Sequence, residues 1–470
     1  AELAAQHPGA EVRASTLEAF ALALGASGAV GDLPVVTAEI GDPWIFGAGS
    51  DPVKVAAFRE VLRARRHLPP GDARAAVDRH LLLAAEHTWG LDQKVWLPDD
   101  VRWDRAGLAA LRATPEAVRF EGSWAEQRAY VDRAADALAT ADANPTAAGP
   151  DAALPAGAAA VGRVDRVAAA VPRWPMGPDG VPSGGFTPVE AGRPVTGAGW
   201  RVAVDPATGA LAEATRTGSG RALADPDHLL GAFSYQSFDE RDYERFFAGL
   251  TPSAEDEGWA RWDNTKPGID AAGARSGRWH PVPTGCWHAS QQGGAWHTLL
   301  VRGACTGEAS EALGAPAEVW SRWTWSTASD ELELDLWWED KPANRLPEAT
   351  WCSFTPLVAE PERWTIDKLG QAVSPLDVVR RGGRALHAVG AGMAYDGPDG
   401  RLAIRTVDAP LVAPGRPGLL DADPPVPDLA GGFHVLLHDN CWGTNFPMWV
   451  EGPARFRFAI SVGEVSPPRS

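Results

Sequence analysis

Apolar positions change their period along the chain. Up to about residue 140 they recur mainly with helical spacing; from Trp200 onward they alternate. Leu17, Phe20, Ala21 and Leu24 stand three and four apart and predict a helix that Gly25 and Gly28 end. Leu33-Pro-Val-Val-Thr-Ala-Glu-Ile40 predicts a buried strand that runs into a glycine-rich loop, Gly41 to Gly49. Ser50-Asp51-Pro52 offers a polar cap followed by proline in a first helical turn. Val53, Ala57, Phe58, Val61 and Leu62 form the apolar stripe behind it, and Arg63, Arg65 and Arg66 suit the negative end of that helix's dipole. A second helix is predicted from Asp72 to Glu86. A third is predicted to begin at Ser123-Trp-Ala-Glu126, a capping-box pattern, with Tyr130, Ala134 and Leu138 behind it.

Residues 141–195 are dominated by Pro, Gly and Ala and predict a linker with at most one short element. Trp200-Arg-Val-Ala-Val204 followed by Asp205-Pro-Ala-Thr-Gly209 predicts a strand and a hairpin turn. Glu331-Leu-Glu-Leu-Asp-Leu-Trp-Trp338 alternates strictly, with Leu332, Leu334, Leu336 and Trp338 on one face, as in a half-buried antiparallel strand. Phe456, Phe458 and Ile460 alternate in the same way. The fold class that follows is multidomain α+β: helices first, then packed antiparallel sheets. No internal repeat is present.

Composition narrows the partners. The formal net charge is −18, which disfavours nucleic acid and anionic membrane surfaces, because both need clustered Lys and Arg. No run of about 18 apolar residues is available for a spanning helix. Trp supplies 21 residues against 4 Tyr. An indole offers a flat face and one N–H, which suits the C–H faces of sugars, but it also fills sheet cores. Cys286, Cys305, Cys352 and Cys441 show no CxxC spacing and are expected to be free buried thiols of a cytoplasmic protein. Only five of the 43 basic residues are Lys. Residue 1 is not Met and Ala1–Ala10 has no signal-peptide character, so the chain is expected to be processed or N-terminally incomplete.

Three segments could carry chemistry. In Glu39-Ile-Gly-Asp-Pro-Trp-Ile-Phe46, a strand delivers a carboxylate into a loop before a helix, as αβ barrels do at their strand ends. Asp42 would be a general acid or base and Trp44 a sugar platform; the plainer reading is a turn Asp and a packing Trp. In Ala85-Glu-His-Thr-Trp-Gly-Leu-Asp92, His87 would ligate a divalent metal, with Trp89 and Asp92 facing the substrate. Taken alone, His87 reads more readily as a satisfied structural histidine than as a ligand. In Leu437-His-Asp-Asn-Cys-Trp-Gly-Thr-Asn-Phe-Pro-Met-Trp449, Asn440, Asn445 and Trp442 could touch a sugar, or the segment could be an inter-domain clasp. His280, His288 and His297 read as hairpin residues, and no GxSxG, Walker A, GxGxxG or HExxH pattern occurs.

The segment Leu33–Asp42, then Ser50-Asp-Pro-Val-Lys54 and a helix, resembles the end of the catalytic barrel in glycoside hydrolase family 38, the alpha-mannosidases. Ala85-Glu-His-Thr-Trp-Gly90, Ser123-Trp-Ala-Glu-Gln-Arg128, Glu348-Ala-Thr-Trp351, Asp408-Ala-Pro-Leu411 and Trp442-Gly-Thr-Asn-Phe446 more closely resemble an uncharacterised family, domain of unknown function 5054. The resemblance implies a barrel end at 1–70, a helical bundle at 71–145, a linker at 146–195 and a mutarotase-like β-sandwich at 196–470. It implies a carbohydrate-active protein of glycoside-hydrolase type that uses zinc or another divalent metal, with His87 as the ligand that carries over. Thr88 stands where the mannosidases have Asp. It also implies that the nucleophile and remaining ligands lie outside this sequence, so the chain as given is expected not to turn over substrate. A non-catalytic carbohydrate-binding or structural protein of the same fold is the alternative, and a homo-oligomer is left open.

Overall fold

A computed structural model of the chain describes residues 2–41, 43–85, 89–143, 171–177, 180–251 and 257–463. The chain divides into two compact units, Ala1–Glu39 and Ile40–Ser470. In the first, α1 (Leu17–Ala26) forms as its apolar spacing predicts, capped by Thr16, whose hydroxyl accepts from the Ala19 amide at 3.1 Å. None of its residues is buried. The strand predicted at Leu33–Ile40 does not form: the backbone there is irregular, and Leu33, Val35 and Val36 are exposed. A strand exists only through a neighbour that takes its hydrogen bonds, and sequence alternation cannot supply one.

The second unit opens with a 3₁₀ turn over Pro43–Ser50 in place of the predicted loop. Helix α2 (Pro52–Arg65) starts where the sequence places it, with the Asp51 carboxylate accepting from the Lys54 amide at 3.1 Å. Helix α3 (Asp72–Ala84) follows. Helix α4 (Pro115–Ala143) is a correction to the sequence reading, because it begins eight residues before the expected cap. Ser123 lies inside it, and its hydroxyl donates to the Phe120 carbonyl at 2.6 Å while accepting from the Leu91 amide at 3.0 Å. A serine satisfied within the helix in this way need not end it. Ala57, Val61, Val77, Leu81, Val131, Ala134 and Leu138 from the three helices, with Leu68 from the α2–α3 connection, close a small core of their own.

The rest is a sandwich of two ten-stranded antiparallel sheets. The first has, in spatial order, β1 (Thr187–Pro188), β8 (Val282–Gln291), β9 (Trp296–Ala304), β10 (Glu318–Ser326), β11 (Glu331–Trp338), β20 (Ala454–Gly463), β17 (Gly400–Thr406), β16 (Gly392–Gly397), β13 (Thr365–Lys368) and β14 (Gln371–Val373). The second runs β15 (His387–Ala388), β18 (Leu411–Pro414), β19 (Phe433–Asp439), β12 (Glu348–Phe354), β6 (Leu230–Ser237), β4 (Leu211–Arg216), β3 (Trp200–Val204) and β2 (Val195–Gly197). Two short strands, β5 (Ala222–Ala224) and β7 (Gly277–Trp279), pair with β4 and β6. Helices followed by a large antiparallel sandwich are what the sequence pattern expects. Leu332, Leu334, Leu336 and Trp338 point into the core, and Leu334 and Leu336 pair with Phe458 and Phe456 of β20.

The outward face of the first sheet is less open than alternation suggests. Trp287 of β8 stacks on Trp320 of β10 at 6.2 Å over the intervening β9, Trp320 stacks on Trp337 of the adjacent β11 at 6.0 Å, and Trp174 closes the row at 5.6 Å. Val171, Val181 and Phe186 lie against this row, so part of the predicted linker is a packed cover. Two helices absent from the sequence reading, α5 (Glu240–Leu250) and α6 (Glu257–Asn264), leave the second sheet after β6. Asp239 and Asp242 form a reciprocal capping box at the start of α5.

Candidate functional site

Strand β19 ends at Asp439 and releases the loop Asn440–Trp449 toward the helices. Glycines bring the two sides together. A Cβ at Gly47 would run into the Phe446 ring, and one at Gly49 into the Asp439 carboxylate. Only an α-carbon without a Cβ allows so close an approach, which is the structural reason for Gly47 and Gly49 in the stretch before α2.

Within the loop, Asn440 is wholly buried. Its amide nitrogen donates to the carbonyls of Asn344 at 2.8 Å, Leu346 at 3.0 Å and Met448 at 3.2 Å, and its oxygen accepts from the Glu348 amide at 2.8 Å. Wholly buried, and bonded to backbone through both amide atoms, this residue is a clasp, which corrects the sugar-contact reading. Trp442 is likewise a packing anchor, 5.4 Å from Phe46 in a stacked pair and 5.4 Å from Phe246 edge-on. Trp449 donates to the Glu121 carboxylate at 2.8 Å and packs on Trp124, which ties the loop to α4.

The middle of the loop is different. Thr444 has φ of +50°, a left-handed conformation that a β-branched side chain rarely adopts. Its carbonyl accepts from the Gln93 amide at 2.7 Å, and the neighbouring Gly443 amide donates to the Asp263 carbonyl at 3.1 Å. Such strain persists where surrounding contacts fix it, and it is concentrated at functional sites. Asn445 follows and is half-buried.

Facing this turn are residues of the Ala85–Asp92 segment. Trp89 is half-buried, with Phe446 at 6.2 Å and the Lys54 ammonium 4.1 Å from its ring centre. Asp92 caps a short helical turn by accepting from the Lys94 amide at 2.8 Å. Lys94 reaches Asp92 at 3.7 Å and Asp263 at 2.6 Å. The seam therefore brings together Trp89, Asp92, Lys94, Thr444 and Asn445: one indole, a carboxylate, an ammonium, a hydroxyl and an amide. Asp92 is committed to its cap and to Lys94, which makes it a positioning carboxylate. Asp42 and His87, with Glu86 and Thr88, lie outside the described residues, as does the side chain of Trp44.

Below the seam is a charged core that the sequence reading missed. Lys341 and Glu348 are fully buried and ion-paired. Glu348 also accepts from the Tyr235 hydroxyl at 2.8 Å and the Asn344 amide at 3.0 Å. Lys266 donates to the carbonyls of Asn440 at 2.6 Å and Arg345 at 3.0 Å, and burial pulls its pKa down to about 7. Burial pushes the Asp439 carboxyl up to about 8, and it holds the His438 imidazole well below its ordinary range. The signal available was lysine itself. Lys54, Lys94, Lys266 and Lys341 are four of the five lysines in an arginine-rich chain, and all four sit at or under the seam. A compact ammonium fits among backbone carbonyls where a planar guanidinium does not.

Among the described residues no three His, Cys, Asp or Glu side chains converge on a point that could hold a metal ion. No helix among them is long and apolar enough to cross a membrane. The four cysteines are free and buried.

Comparison with known proteins places this geometry in context. A family model described as "Domain of unknown function (DUF5054)" matches residues 48–154 and 165–333. No curated protein matches the sequence. Among solved structures, an alpha-mannosidase from Enterococcus faecalis V583 aligns at 10% identity over 60% of this chain and 30% of its own, with a TM-score of 0.36. A glycosyl hydrolase family 38 protein from Enterococcus faecalis aligns at 10% identity over 60% of this chain and 31% of its own, with a TM-score of 0.35. A galactose mutarotase-like protein from Clostridium acetobutylicum aligns at 10% identity over 58% of this chain and 95% of its own, with a TM-score of 0.32. The chain thus spans less than a third of the length of the two hydrolases.

Proposed function

The chain belongs to the family of domain of unknown function 5054, and from that premise we propose that it is part of a carbohydrate-active protein of glycoside-hydrolase type, with the seam between helices and sandwich facing the sugar. The observation that carries the reading is the strained Thr444 turn, whose neighbour Phe446 packs on Trp89. A half-buried indole flanked by fixed amide, carboxylate and ammonium groups is a suitable surface for a pyranose. The ring takes C–H contacts and the polar groups take hydroxyls. Trp89 and Asn445 would contact the sugar; Asp92 and Lys94 would hold the surface in shape.

Hydrolysis and metal use belong to the same proposal through Asp42 and His87. The described residues do not by themselves hold a divalent ion. A metal would need His87 together with ligands outside them, and no catalytic step is derived through it. A non-catalytic sugar-binding role is the second reading. What favours it is the seam itself, where Asp92 is tied to its cap and to Lys94 and is not free for acid–base work.

The test is glycan binding by the full chain, measured by calorimetry against a panel of neutral oligosaccharides. W89A is expected to weaken binding about tenfold, equivalent to roughly 1.4 kcal/mol. A folded W89A protein with wild-type affinity would remove the seam from the reading. H87A is expected to lower bound zinc, read by metal analysis, and unchanged zinc content would remove the metal part.

A further inference from the structure

Away from the seam, two imidazoles meet where the hairpin of β8 and β9 turns through Gln292–Gly294. His288 follows Cys286 on one face of β8, and His297 precedes Leu299 and Val301 on the matching face of β9, so both rings stand at the end of the sandwich core. His288 Nε2 lies 3.0 Å from His297 Nδ1, and His297 Nε2 lies 3.0 Å from the Gly294 carbonyl oxygen. The ring centres are 5.2 Å apart and the ring planes differ by 17°. That separation is little more than the N···N distance plus the two ring radii, so the rings meet end to end. Trp325 of β10 lies nearly parallel to both, 5.3 Å from His297 and 6.4 Å from His288. Across from them is the turn that joins β2 to β3. A Cβ at Gly197 would run into the His297 ring, and the Gly197 carbonyl accepts from the Trp325 indole N–H at 2.9 Å. Ala198, next in this turn, is held at φ of +46°, in the left-handed region. The β2–β3 turn of the second sheet therefore rests on a floor made of His297 and Trp325.

The partners fix the proton positions. A carbonyl oxygen only accepts, so His297 Nε2 carries hydrogen, and Nδ1 of the neutral ring is then a lone pair. The hydrogen in the N···N contact therefore belongs to His288 Nε2. His288 Nδ1 is left as the one nitrogen of the pair that can take a proton without breaking a bond, and its ring is only half-buried. The surroundings carry little charge. No Asp, Glu, Lys or Arg occurs at 187–188, 195–199, 287–299 or 323–326, the segments packed around the pair. Cys286 stays a thiol, because burial pushes it up to about 12. Arg216, against Gly199, is paired with Asp330. Burial and the neighbouring His297 hold the His288 imidazole below its ordinary range. A zinc ion would need about 2.1 Å to each nitrogen, and two in-line nitrogens 3.0 Å apart leave no room for it between them.

We propose that the His288–His297 pair is a proton-operated latch that fastens the β2–β3 turn to the β8–β9 hairpin, staying closed with one added proton and opening with the second. The first proton, from solvent, goes to His288 Nδ1. The Nε2–H···Nδ1 bond to His297 survives and becomes charge-assisted. The second proton can go only to His297 Nδ1. Two N–H groups then face each other, the bond between the rings is lost, and two imidazolium charges stand side by side with no carboxylate to answer them. His297 must turn away, and with it goes the floor under Gly197. The sign follows from the lowered His288 pKa: the folded chain holds the proton less tightly than the unfolded one, so the contribution to stability is complete above pH 6.5 and is lost as pH falls below it. This assignment does not depend on the seam.

Histidine side-chain NMR and amide hydrogen exchange on the full chain, from about pH 8 to about pH 4, test it. At the alkaline end both rings are expected to carry hydrogen on Nε2, and on acidification His288 is expected to titrate before His297, in two separate steps. Through the second step, amide protection over residues 195–202, corrected for the intrinsic rate, is expected to fall about tenfold while that of β11 and β20 holds. H288Q is the discriminating variant, because glutamine can offer either its N–H or its oxygen to His297 Nδ1 and should keep the latch closed across the range. H288A should have no latch, with residues 195–202 already poorly protected at the alkaline end. An acid response in H288Q equal to that of wild type overturns the proposal, as does H288A with wild-type protection. It is also overturned if His297 titrates first, if both rings titrate together as free imidazoles, or if no second step with loss of protection occurs above about pH 4. Loss that spreads equally to β11 and β20 would be global acid unfolding and removes the local latch.

Discussion

Replacing Asn440 with alanine separates a clasp from a ligand contact. The side chain is wholly buried and makes four hydrogen bonds to backbone. After truncation the Leu346 carbonyl keeps the Asn344 amide at 3.3 Å, but the Asn344 and Met448 carbonyls and the Glu348 N–H lose this partner. A buried backbone group without a partner costs about 1–3 kcal/mol, so three of them, with partial relaxation, put the loss at about 3–5 kcal/mol. An asparagine serving only a ligand at a surface would change stability by less than about 0.5 kcal/mol. Urea unfolding followed by tryptophan fluorescence reads the difference. N440D keeps the shape, loses all three donations and adds a buried charge; it should be at least as damaging as N440A. An N440A protein within about 0.5 kcal/mol of wild type would refute the assignment of this loop as a clasp.

Further outcomes follow from the same core and its surroundings. The Asp439 carboxyl has its pKa raised from 3.8 to about 8 in the folded chain. The folded state therefore holds the proton more tightly, and stability present below pH 4 is lost as pH rises toward 8. D439N should remove that loss, so its stability advantage over wild type, read by thermal unfolding, should grow from pH 4 to pH 8; a constant difference would contradict the assignment. Lys266 acts in the opposite sense: its pKa is lowered to about 7, so it contributes stability that increases between pH 7 and pH 10.5. G47A drives a methyl into the Phe446 ring and should cost about 1–3 kcal/mol in urea unfolding, whereas G122A, with open space at its Cβ, should be neutral or stabilising. The four buried cysteines should resist a thiol reagent in the native chain and all react after denaturation, with burial pushing Cys286 and Cys305 up to about 12. Rapid native labelling at any of them would show that the sandwich opens.

What the sequence made legible is what local chemistry decides. Asp51-Pro52 marks the start of α2 because a carboxylate cap and a proline act within one turn. The period of two in Glu331–Trp338 locates β11 because a sheet face imposes it. Decisions made by distant neighbours were not legible. Ser123 looks like a cap until Leu91 and Phe120 occupy its hydroxyl. Leu33–Ile40 looks like a strand, although its backbone is irregular up to a single bridge residue, Glu39. Asn440 and Trp442 have the chemistry of a sugar site, and only burial shows that the first serves the backbone and the second the packing. Trp89 and Asn445, named from the same motifs, stand half-buried at the edge of that core. The Lys341–Glu348 pair has no local pattern, since its meaning lies in the water it excludes.

The clasp also bears on heredity. Trp442 is stacked on Phe46, Trp449 reaches Glu121, and Thr444 takes a hydrogen bond from Gln93, so one sandwich loop is finished by three separate parts of the helical region. A gene fragment encoding either part alone would leave bare indoles and unanswered carbonyls. Recombination can shuffle only pieces that are complete on their own. Helices and sandwich in this family are therefore expected to travel between genomes together, with variation gathering on the open face of the first sheet.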